Sequence, residues 1–172
     1  HLSTSRCVQA VAEQRGAAVH LSRIGEINVT ETMLAVGAVV GGESNGGLII
    51  PAIHPCRDSY AAMAVILELM AHSARSLVQL LAETPTYRLV RDKIPIRGES
   101  GVGVLRAIRR RYAHERLNLL DGVHVQFPDR WVHARLSNTE PVLRITAEGP
   151  DEAAARALID DVRDEVARAS AP

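Results

Sequence analysis

The sequence predicts an α/β protein in two parts: a parallel α/β layer that is incomplete at its N-terminus, then a small α+β domain with a mainly antiparallel sheet and helices on one face. Strand-like and helix-like segments alternate up to Pro85, which is typical of a parallel layer. After residue 122, three strand-like segments follow one another directly, which is typical of an antiparallel sheet. Hydrophobic residues make up 47% of the 172 residues and aromatic residues 3%, so both cores are expected to consist mainly of Ala, Val, Leu and Ile.

The first part is predicted as one domain, residues 1–84. Its helices start after serine or aspartate residues, whose side chains can cap a helix N-terminus. The predicted elements are a helix capped by Ser3 or Ser5, a strand at 17–21, a helix at 29–36, a short strand at 38–40, an apolar segment from Leu48, a helix at 60–72 capped by Asp58 or Ser59, and a helix from Ser76 to near Pro85. Arg57 and Asp58 suggest an ion pair that caps the helix at 60–72, although a contact with substrate is an alternative.

The second part, residues 99–172, follows a connection predicted at residues 85–98, where alternating charges end at Pro95. In its first strand apolar and polar residues alternate, so one face of the sheet is expected to be buried. The predicted elements are a basic helix at 104–116, strands at 123–127, 131–136 and 142–147, and a final helix capped by Asp151.

Composition excludes several classes of function. The 20 basic and 20 acidic side chains cancel, and aromatic residues are few, so no nucleic-acid partner is expected. No apolar stretch has transmembrane length and no signal peptide is visible, so no membrane partner is expected. The two cysteines fit a reducing compartment and therefore a cytoplasmic protein. Because the chain opens without Met on what reads as the end of a strand, we expect it to be a fragment.

The segment "GGESNGG", residues 41–47, contains a carboxylate and an amide between glycines. Glycine allows a backbone to approach a ligand closely. Glu43 can accept hydrogen bonds and Asn45 can both accept and donate them, which suits the vicinal hydroxyls of a sugar. The alternative is a tight turn between two strands, with no ligand.

The segment "RLSNTEP", residues 135–141, interrupts the predicted antiparallel sheet with polar side chains. Arg135 supplies a planar cation suited to phosphate. Donors next to it could complete an anion site, and these are Ser137, Asn138 and Thr139. The alternative is a polar hairpin in which Glu140 pairs with Arg135 or Arg144.

Together these motifs resemble the α-D-phosphohexomutase family. "RLSNTEP" resembles the phosphate-binding signature R-x-S-[GN]-T-[ET]-P in the last domain of that family. "GGESNGG" followed by "RDS" resembles the sugar-recognition loop of its third domain, and "LSTSR", "IGEINV" and "VVGGESNGG" occur in the family order. The resemblance covers nearly the whole chain, as the third and fourth domains of a four-domain enzyme.

The resemblance implies an isomerase that interconverts 1-phospho and 6-phospho sugars. In the family a phosphoserine of the first domain exchanges its phosphoryl group with the sugar through a bisphosphorylated intermediate, and a loop of the second domain holds Mg²⁺. No segment like T-A-S-H-N-P or D-G-D-x-D-R occurs here, so neither catalytic residues nor metal ligands are assigned to this chain. The implied partners are a phosphosugar substrate and the first two domains of the same polypeptide, and the chain alone is expected to be inactive.

By the same resemblance, Glu43 and Asn45 hold sugar hydroxyls, while Ser44 and Gly46 shape the loop. The phosphate that is not transferred is held by four residues, which are Arg135, Ser137, Asn138 and Thr139. Many family members have a histidine where this chain has Gly47, so any sugar contact from that position is in doubt. Glucose, mannose and glucosamine phosphates all stay open as substrates. The alternative function is a stand-alone, non-catalytic module that binds phosphosugars or another protein.

Overall fold

The computed structural model describes residues 1–96 and 100–169, and it divides the chain into two compact units, His1–Thr86 and Tyr87–Pro172. Both units mix helices with strands, which confirms the predicted α/β class. Across the described residues, no helix combines the length and the apolar composition that a membrane span requires.

The first unit is mainly helical and contains a two-stranded antiparallel ladder. Its elements are α1 (Arg6–Gln14), α2 (Glu26–Val36), β1 (Gly41–Gly42), β2 (Leu48–Ile49), α3 (Ser59–Ser73) and α4 (Leu77–Leu81). The predicted caps of three helices form: Ser5 accepts a hydrogen bond from Cys7 N, Asp58 accepts from Tyr60 N and Ala61 N, and Ser76 makes a capping box with Gln79. A small buried cluster of Val29, Met33 and Ile49 joins α2 to β2.

Two segments predicted as strands, 17–21 and 38–40, form no ladder, so the parallel layer is absent from the hydrogen bonding of residues 1–96. The reason lies in pairing, because a strand is stable only where its N–H and C=O groups meet those of a neighbour. Near the first segment, Leu2 N donates to Ser22 O at 3.0 Å, and this single bond does not extend into a ladder. In the second segment Val39 is 81% exposed, so its apolar character does not reflect burial.

The second unit is an antiparallel sheet with two helices, as predicted, but the sheet has five strands where the sequence predicted three. Its elements are β3 (Arg88–Pro95), α5 (Ser100–Arg111), β4 (Arg116–Asn118), β5 (Val123–Gln126), β6 (Trp131–Leu136), β7 (Val142–Gly149) and α6 (Glu152–Ala169), and the strand order is β3-β7-β6-β5-β4. The apolar stripes of α5 and α6 pack with alternate strand residues in one core. Asp151 caps α6 by accepting a hydrogen bond from Ala154 N at 2.7 Å.

The connection predicted at 85–98 is wrong for residues 88–95, which form β3 and pair with β7 along their whole length. Apolar and charged residues alternate in this segment, which is the pattern of a half-buried strand. Val90 and Ile94 pack against the core, whereas Arg91 and Lys93 are exposed. Residues 97 and 98 of the predicted connection, and residue 99 of the predicted second domain, lie outside the described residues.

Helix α5 ends earlier than predicted. It stops at Arg111, and Arg116 already belongs to β4. Tyr112, the residue after the helix, packs in the core. Its hydroxyl group donates a hydrogen bond to Asp161 of α6.

Candidate functional site

The first candidate loop is a tight hairpin turn between β1 and β2. Gly42 lies opposite Leu48, and the turn is closed by hydrogen bonds from Glu43 N to Gly47 O (3.2 Å) and from Gly46 N to Glu43 O (3.1 Å). Gly46 has a φ of 89°, which favours glycine, and a Cβ on Gly42 would lie 2.4 Å from Gly47 O. The backbone therefore has the tight-turn form, and the side chains that it carries decide what it could bind.

The four sugar-binding candidates differ in exposure and in contacts. The side chain of Glu43 is only 11% exposed, and its Oε2 lies 3.6 Å from Arg57 Nη1. Ser44 is exposed, and its hydroxyl oxygen lies 3.4 Å from His1 Nε2. Asn45 is also exposed, but its Oδ1 accepts a hydrogen bond from Gly47 N at 3.1 Å. The Oδ1 atom of Asn45 is thus used within the turn, whereas its amide nitrogen is not part of this hydrogen bond.

Arg57 contacts this loop, whereas the sequence suggested that it forms an ion pair with Asp58. Its backbone N and its Nε donate to Glu26 at 2.8 and 2.7 Å, whereas the predicted partner Asp58 caps α3. The hydrogen bonds from Arg57 hold the pKa of Glu26 below its ordinary value. Glu26 and Arg57 are 31 positions apart, so no local pattern in the sequence could have predicted this pair.

The second candidate loop connects β6 to β7. Ser137 N donates to Val142 O at 2.9 Å, and Val142 N donates to Glu140 O at 2.8 Å, which closes the turn around residues 137–141. Arg135 in β6 lies just before this turn. The loop therefore projects from the end of two paired strands, on a framework that is fixed by the sheet.

A row of three cations crosses the sheet beside this turn. Arg135 lies directly opposite Arg144 of β7, and Arg144 lies opposite Lys93 of β3. Their strand neighbours pack in the core, so the three cations lie on the other face of the sheet. Like charges placed directly opposite each other are unfavourable, and a bound anion would relieve this repulsion.

Side-chain contacts in this loop decide between the two partners considered for Glu140. Glu140 Oε2 accepts a hydrogen bond from Arg144 at 2.6 Å. Arg135 forms no salt bridge with any residue that the structure describes, and its Nη1 donates only a long hydrogen bond to Leu136 O at 3.4 Å. The guanidinium group of Arg135 thus remains available for an external anion.

The hydroxyl candidates meet in the turn, and the amide candidate does not join them. Ser137 Oγ lies 3.5 Å from Thr139 Oγ1 and accepts from Thr139 N at 3.4 Å. Arg144 Nε donates to Ser137 Oγ at 3.2 Å, which ties the hydroxyl cluster to the row of cations. Asn138 is exposed at the tip of the turn. Arg144 is the member of this cluster that the sequence interpretation considered only as a partner for Glu140.

Two buried residues of β6, Trp131 and His133, lie on the same face of the sheet as Arg135. Trp131 Nε1 donates to Glu148 Oε2 at 2.8 Å, and the ring of Trp131 stacks on His124 with centroids 5.1 Å apart. His133 Nε2 contacts the carbonyl oxygen of Asp121. Burial lowers the pKa of His133, so at neutral pH its imidazole adds no positive charge beside Arg135.

Metal-ligating side chains do not gather in the described part of the chain. Across residues 1–96 and 100–169, no three His, Cys, Asp or Glu side chains lie close enough together to hold an ion. The polar groups that the two loops offer are a carboxylate and an amide in the first unit, and a guanidinium group with two hydroxyls in the second.

Comparison with known proteins finds the same family in both units. Residues 1–87 match the family described as "Phosphoglucomutase/phosphomannomutase, alpha/beta/alpha domain III", and residues 96–165 match "Phosphoglucomutase/phosphomannomutase, C-terminal domain". These two ranges coincide closely with the two compact units of the structure.

Similar proteins are known in archaea and bacteria. A "Probable phosphoglucosamine mutase" of Methanopyrus kandleri is 35% identical over 170 residues, which is 98% of this chain and 38% of that protein. A "Phosphoglucomutase/phosphomannomutase" of Thermococcus kodakarensis is 31% identical over 92% of this chain and 35% of its own length. The crystal structure of a phosphoglucomutase/phosphomannomutase family protein from Burkholderia thailandensis superposes with a TM-score of 0.81 at 23% identity, over 98% of this chain and 36% of its own. This chain thus spans little more than a third of the length of these proteins.

Proposed function

This chain belongs to the phosphoglucomutase/phosphomannomutase family, and we propose that it is the sugar-phosphate-binding part of a phosphohexomutase. In this proposal the loop of the first unit binds sugar hydroxyls and the loop of the second unit binds the phosphate that is not transferred. The observation that supports it most directly is the guanidinium group of Arg135, which has no carboxylate partner among the described residues and belongs to the strand that leads into the turn of Ser137 and Thr139.

In the second unit, Arg135 is the main phosphate ligand. Its planar fork can donate two parallel hydrogen bonds to phosphate oxygens. Ser137 and Thr139 add hydroxyl donors, and Asn138 adds an amide donor at the exposed tip. Arg144 and Lys93 contribute positive charge along the same row of the sheet.

In the first unit, the sugar ring meets Glu43 and Asn45. A carboxylate accepts hydrogen bonds from two neighbouring hydroxyls, and the amide nitrogen of Asn45 donates to a third oxygen. Ser44 and Gly46 set the shape of the turn, since Gly46 supplies its positive φ. Both loops act on the sugar phosphate without touching the bond that reacts.

The reaction of the whole protein is the interconversion of 1-phospho and 6-phospho hexoses through a phosphoserine and a bisphosphorylated sugar. Binding energy from the phosphate that is not transferred would orient the reacting end of the substrate. The residues described here do not form a magnesium site, so no step that uses Mg²⁺ is assigned to them. The phosphoserine and the metal belong, in this proposal, to other domains of the longer polypeptide.

The experiment that tests the proposal measures binding of glucose 6-phosphate to the 172-residue chain by calorimetry or NMR titration. Replacing Arg135 by Ala should weaken the affinity about 10- to 100-fold, because charge-assisted hydrogen bonds to phosphate are lost. Arg135→Lys should recover part of the affinity, since it restores the charge without the fork. In the full-length enzyme, Arg135→Ala should lower kcat/KM by a factor that corresponds to a loss of about 2–4 kcal/mol of transition-state stabilisation.

A matched control is Arg156→Ala, because Arg156 forms an exposed ion pair with Glu152 on α6. This variant should bind glucose 6-phosphate like the unaltered chain. Equal affinities for the Arg135→Ala variant and the Arg156→Ala control would contradict the proposal, and would leave the 135–141 segment as a polar hairpin.

A further inference from the structure

Arg57 lies just before α3 and contacts both ends of the turn at 43–47. On one side, its Nη1 lies 3.6 Å from Glu43 Oε2. On the other side, its aliphatic stem covers Gly47 so closely that a Cβ built on this glycine would lie 2.2 Å from Arg57 Cδ. A single side chain therefore spans the whole turn from which Glu43 projects.

Glu43 needs such a neighbour because its side chain is largely shielded from water. A carboxylate that is only 11% exposed loses hydration, and this loss is costly unless a cation or hydrogen-bond donors replace the water. Among the described residues, the cationic side chain that forms a salt bridge with Glu43 is Arg57. Asp58 does not compete for this guanidinium, because its Oδ1 already accepts from Tyr60 N and Ala61 N at 2.9 Å.

Arg57 is itself held in place by Glu26. The carboxylate of Glu26 accepts from the backbone N and from the Nε of Arg57, so the backbone and the base of the guanidinium are fixed together. Glu26 is the first residue of α2, where the helix dipole favours a negative charge. The pKa of Glu26 is lowered by its hydrogen bonds with Arg57, so this anchor stays ionised at neutral pH.

We propose that Arg57 is a positioning residue for sugar recognition, which holds Glu43 in its ligand-binding orientation and compensates its charge, with Glu26 as the anchor of Arg57. This inference rests on the proposed role of Glu43 as a sugar ligand. Arg57 acts through Glu43 and not on the sugar itself. The contribution of Glu43 to ligand affinity should consequently depend on Arg57, so the two residues behave as one energetic unit.

A double-mutant cycle in the 172-residue chain tests this dependence. Binding of glucose 6-phosphate is followed through the NMR signals of the Gly46 and Gly47 amides, for Glu43→Gln, Arg57→Met and the double variant. We expect each single change to weaken affinity about 10-fold, and the double change to weaken it about 10-fold as well, because coupled residues are not additive. Independent residues would instead give a weakening of about 100-fold in the double variant.

Two further variants separate charge from position and guard against misfolding. Gly47→Ala keeps the charge of Arg57 but displaces its stem, so it should also remove most of the effect of Glu43→Gln. Arg57→Lys keeps a charge without the fork, and it serves in the cycle if Arg57→Met does not fold. The control is Arg75→Met, since Arg75 pairs with Glu83 in the same unit and should combine additively with Glu43→Gln.

The outcomes distinguish this inference from the proposed function. If Glu43→Gln alone leaves the affinity unchanged, the sugar-binding role of Glu43 is wrong. If Glu43→Gln weakens binding but the effects of Glu43 and Arg57 multiply, Glu43 remains a ligand and Arg57 does not position it. A non-additive cycle with Arg57 and an additive one with Arg75 would support the positioning role.

Discussion

At the scale of single residues, the partners of Arg144 and Arg57 determine which side chains of the two loops are already paired. The side chains of the turn after β6 were identified by type and spacing, since a guanidinium group and two hydroxyls within five residues are a local pattern. The choice of Arg144 as the partner of Glu140 was left open, because it depends on the register between β6 and β7. Arg57 was paired with its neighbour in the chain, whereas its partners are brought to it by folding.

His133 gives a prediction about acid stability at the residue scale. Burial lowers its pKa below the ordinary value near 6.5, although its contact with the Asp121 carbonyl opposes this shift. The unfolded chain therefore binds this proton more readily than the folded one. The resulting stability is fully present above pH 6.5, and it is lost as the pH falls towards the pKa of the folded state.

The measurement is the free energy of unfolding of the second unit between pH 7.5 and pH 5, followed by the fluorescence of Trp131, the only tryptophan. His133→Gln, which keeps a hydrogen-bond donor for Asp121 O, should flatten the pH dependence. His114→Gln is the control, because His114 is 74% exposed. Equal slopes for both variants and the unaltered chain would contradict the prediction.

At the scale of elements, the hydrophobic pattern predicted the two helices and three of the five antiparallel strands of the second unit, and it failed where strand pairing decides. Segment 17–21 has a strand-like composition but no ladder, while β3 has a charged composition and a complete ladder. The composition of a segment indicates which of its side chains can be buried. Whether the segment forms a strand depends on a partner strand that lies far away in the chain. The end of α5 is a similar case, since the residues that follow Arg111 lead into β4, which pairs with β5.

The hydrogen bond from Tyr112 to Asp161 gives a prediction about the free energy of unfolding. The Tyr112 hydroxyl and the Arg111 guanidinium both donate to Asp161. Burial tends to raise the pKa of Asp161, but these two hydrogen bonds outweigh it and lower the pKa. Tyr112→Phe keeps the ring and its edge contact with Phe127, and it should reduce the free energy of unfolding by about 1–2 kcal/mol.

Chemical denaturation at pH 7, monitored by Trp131 fluorescence, measures this difference. The lowered pKa of Asp161 means that its contribution is present above about pH 4 and is lost as the pH falls through the folded value, so the difference should shrink in acid. Tyr60→Phe is the control, because Tyr60 is 83% exposed. An unchanged denaturation midpoint for Tyr112→Phe would show that the hydroxyl contributes nothing.

At the scale of the whole molecule, the order of motifs carried more information than either motif did alone. Each loop had a purely structural alternative, and each does form a closed turn. The family matches cover both units, so the two loops lie in two domains of one family, in the order that the resemblance implied. What the sequence could not supply is the set of contacts that hold the loops, since these join α2 to the first turn and β3 and β7 to the second.

The 172-residue chain is expected to bind sugar phosphates without isomerising them. It spans little more than a third of the relatives that it matches, and the residues described here provide neither a phosphoserine segment nor a metal site. A coupled assay for glucose 1-phosphate to glucose 6-phosphate conversion, with a complete mutase as positive control, measures this. Turnover by the purified chain would refute the prediction, and would place a nucleophile within these residues.

The row formed by Lys93, Arg144 and Arg135 makes the proposed phosphate site sensitive to ionic strength. Neighbouring strands are about 4.8 Å apart, so the three charges span roughly 10 Å. This span is close to the Debye length of about 8 Å at physiological salt and far below the roughly 30 Å of dilute buffer. Dissolved ions therefore ease the repulsion that the Glu140–Arg144 ion pair leaves in this row, and they would also compete with a bound phosphate for the same charges. A dilute buffer should accordingly give the tightest binding of phosphate.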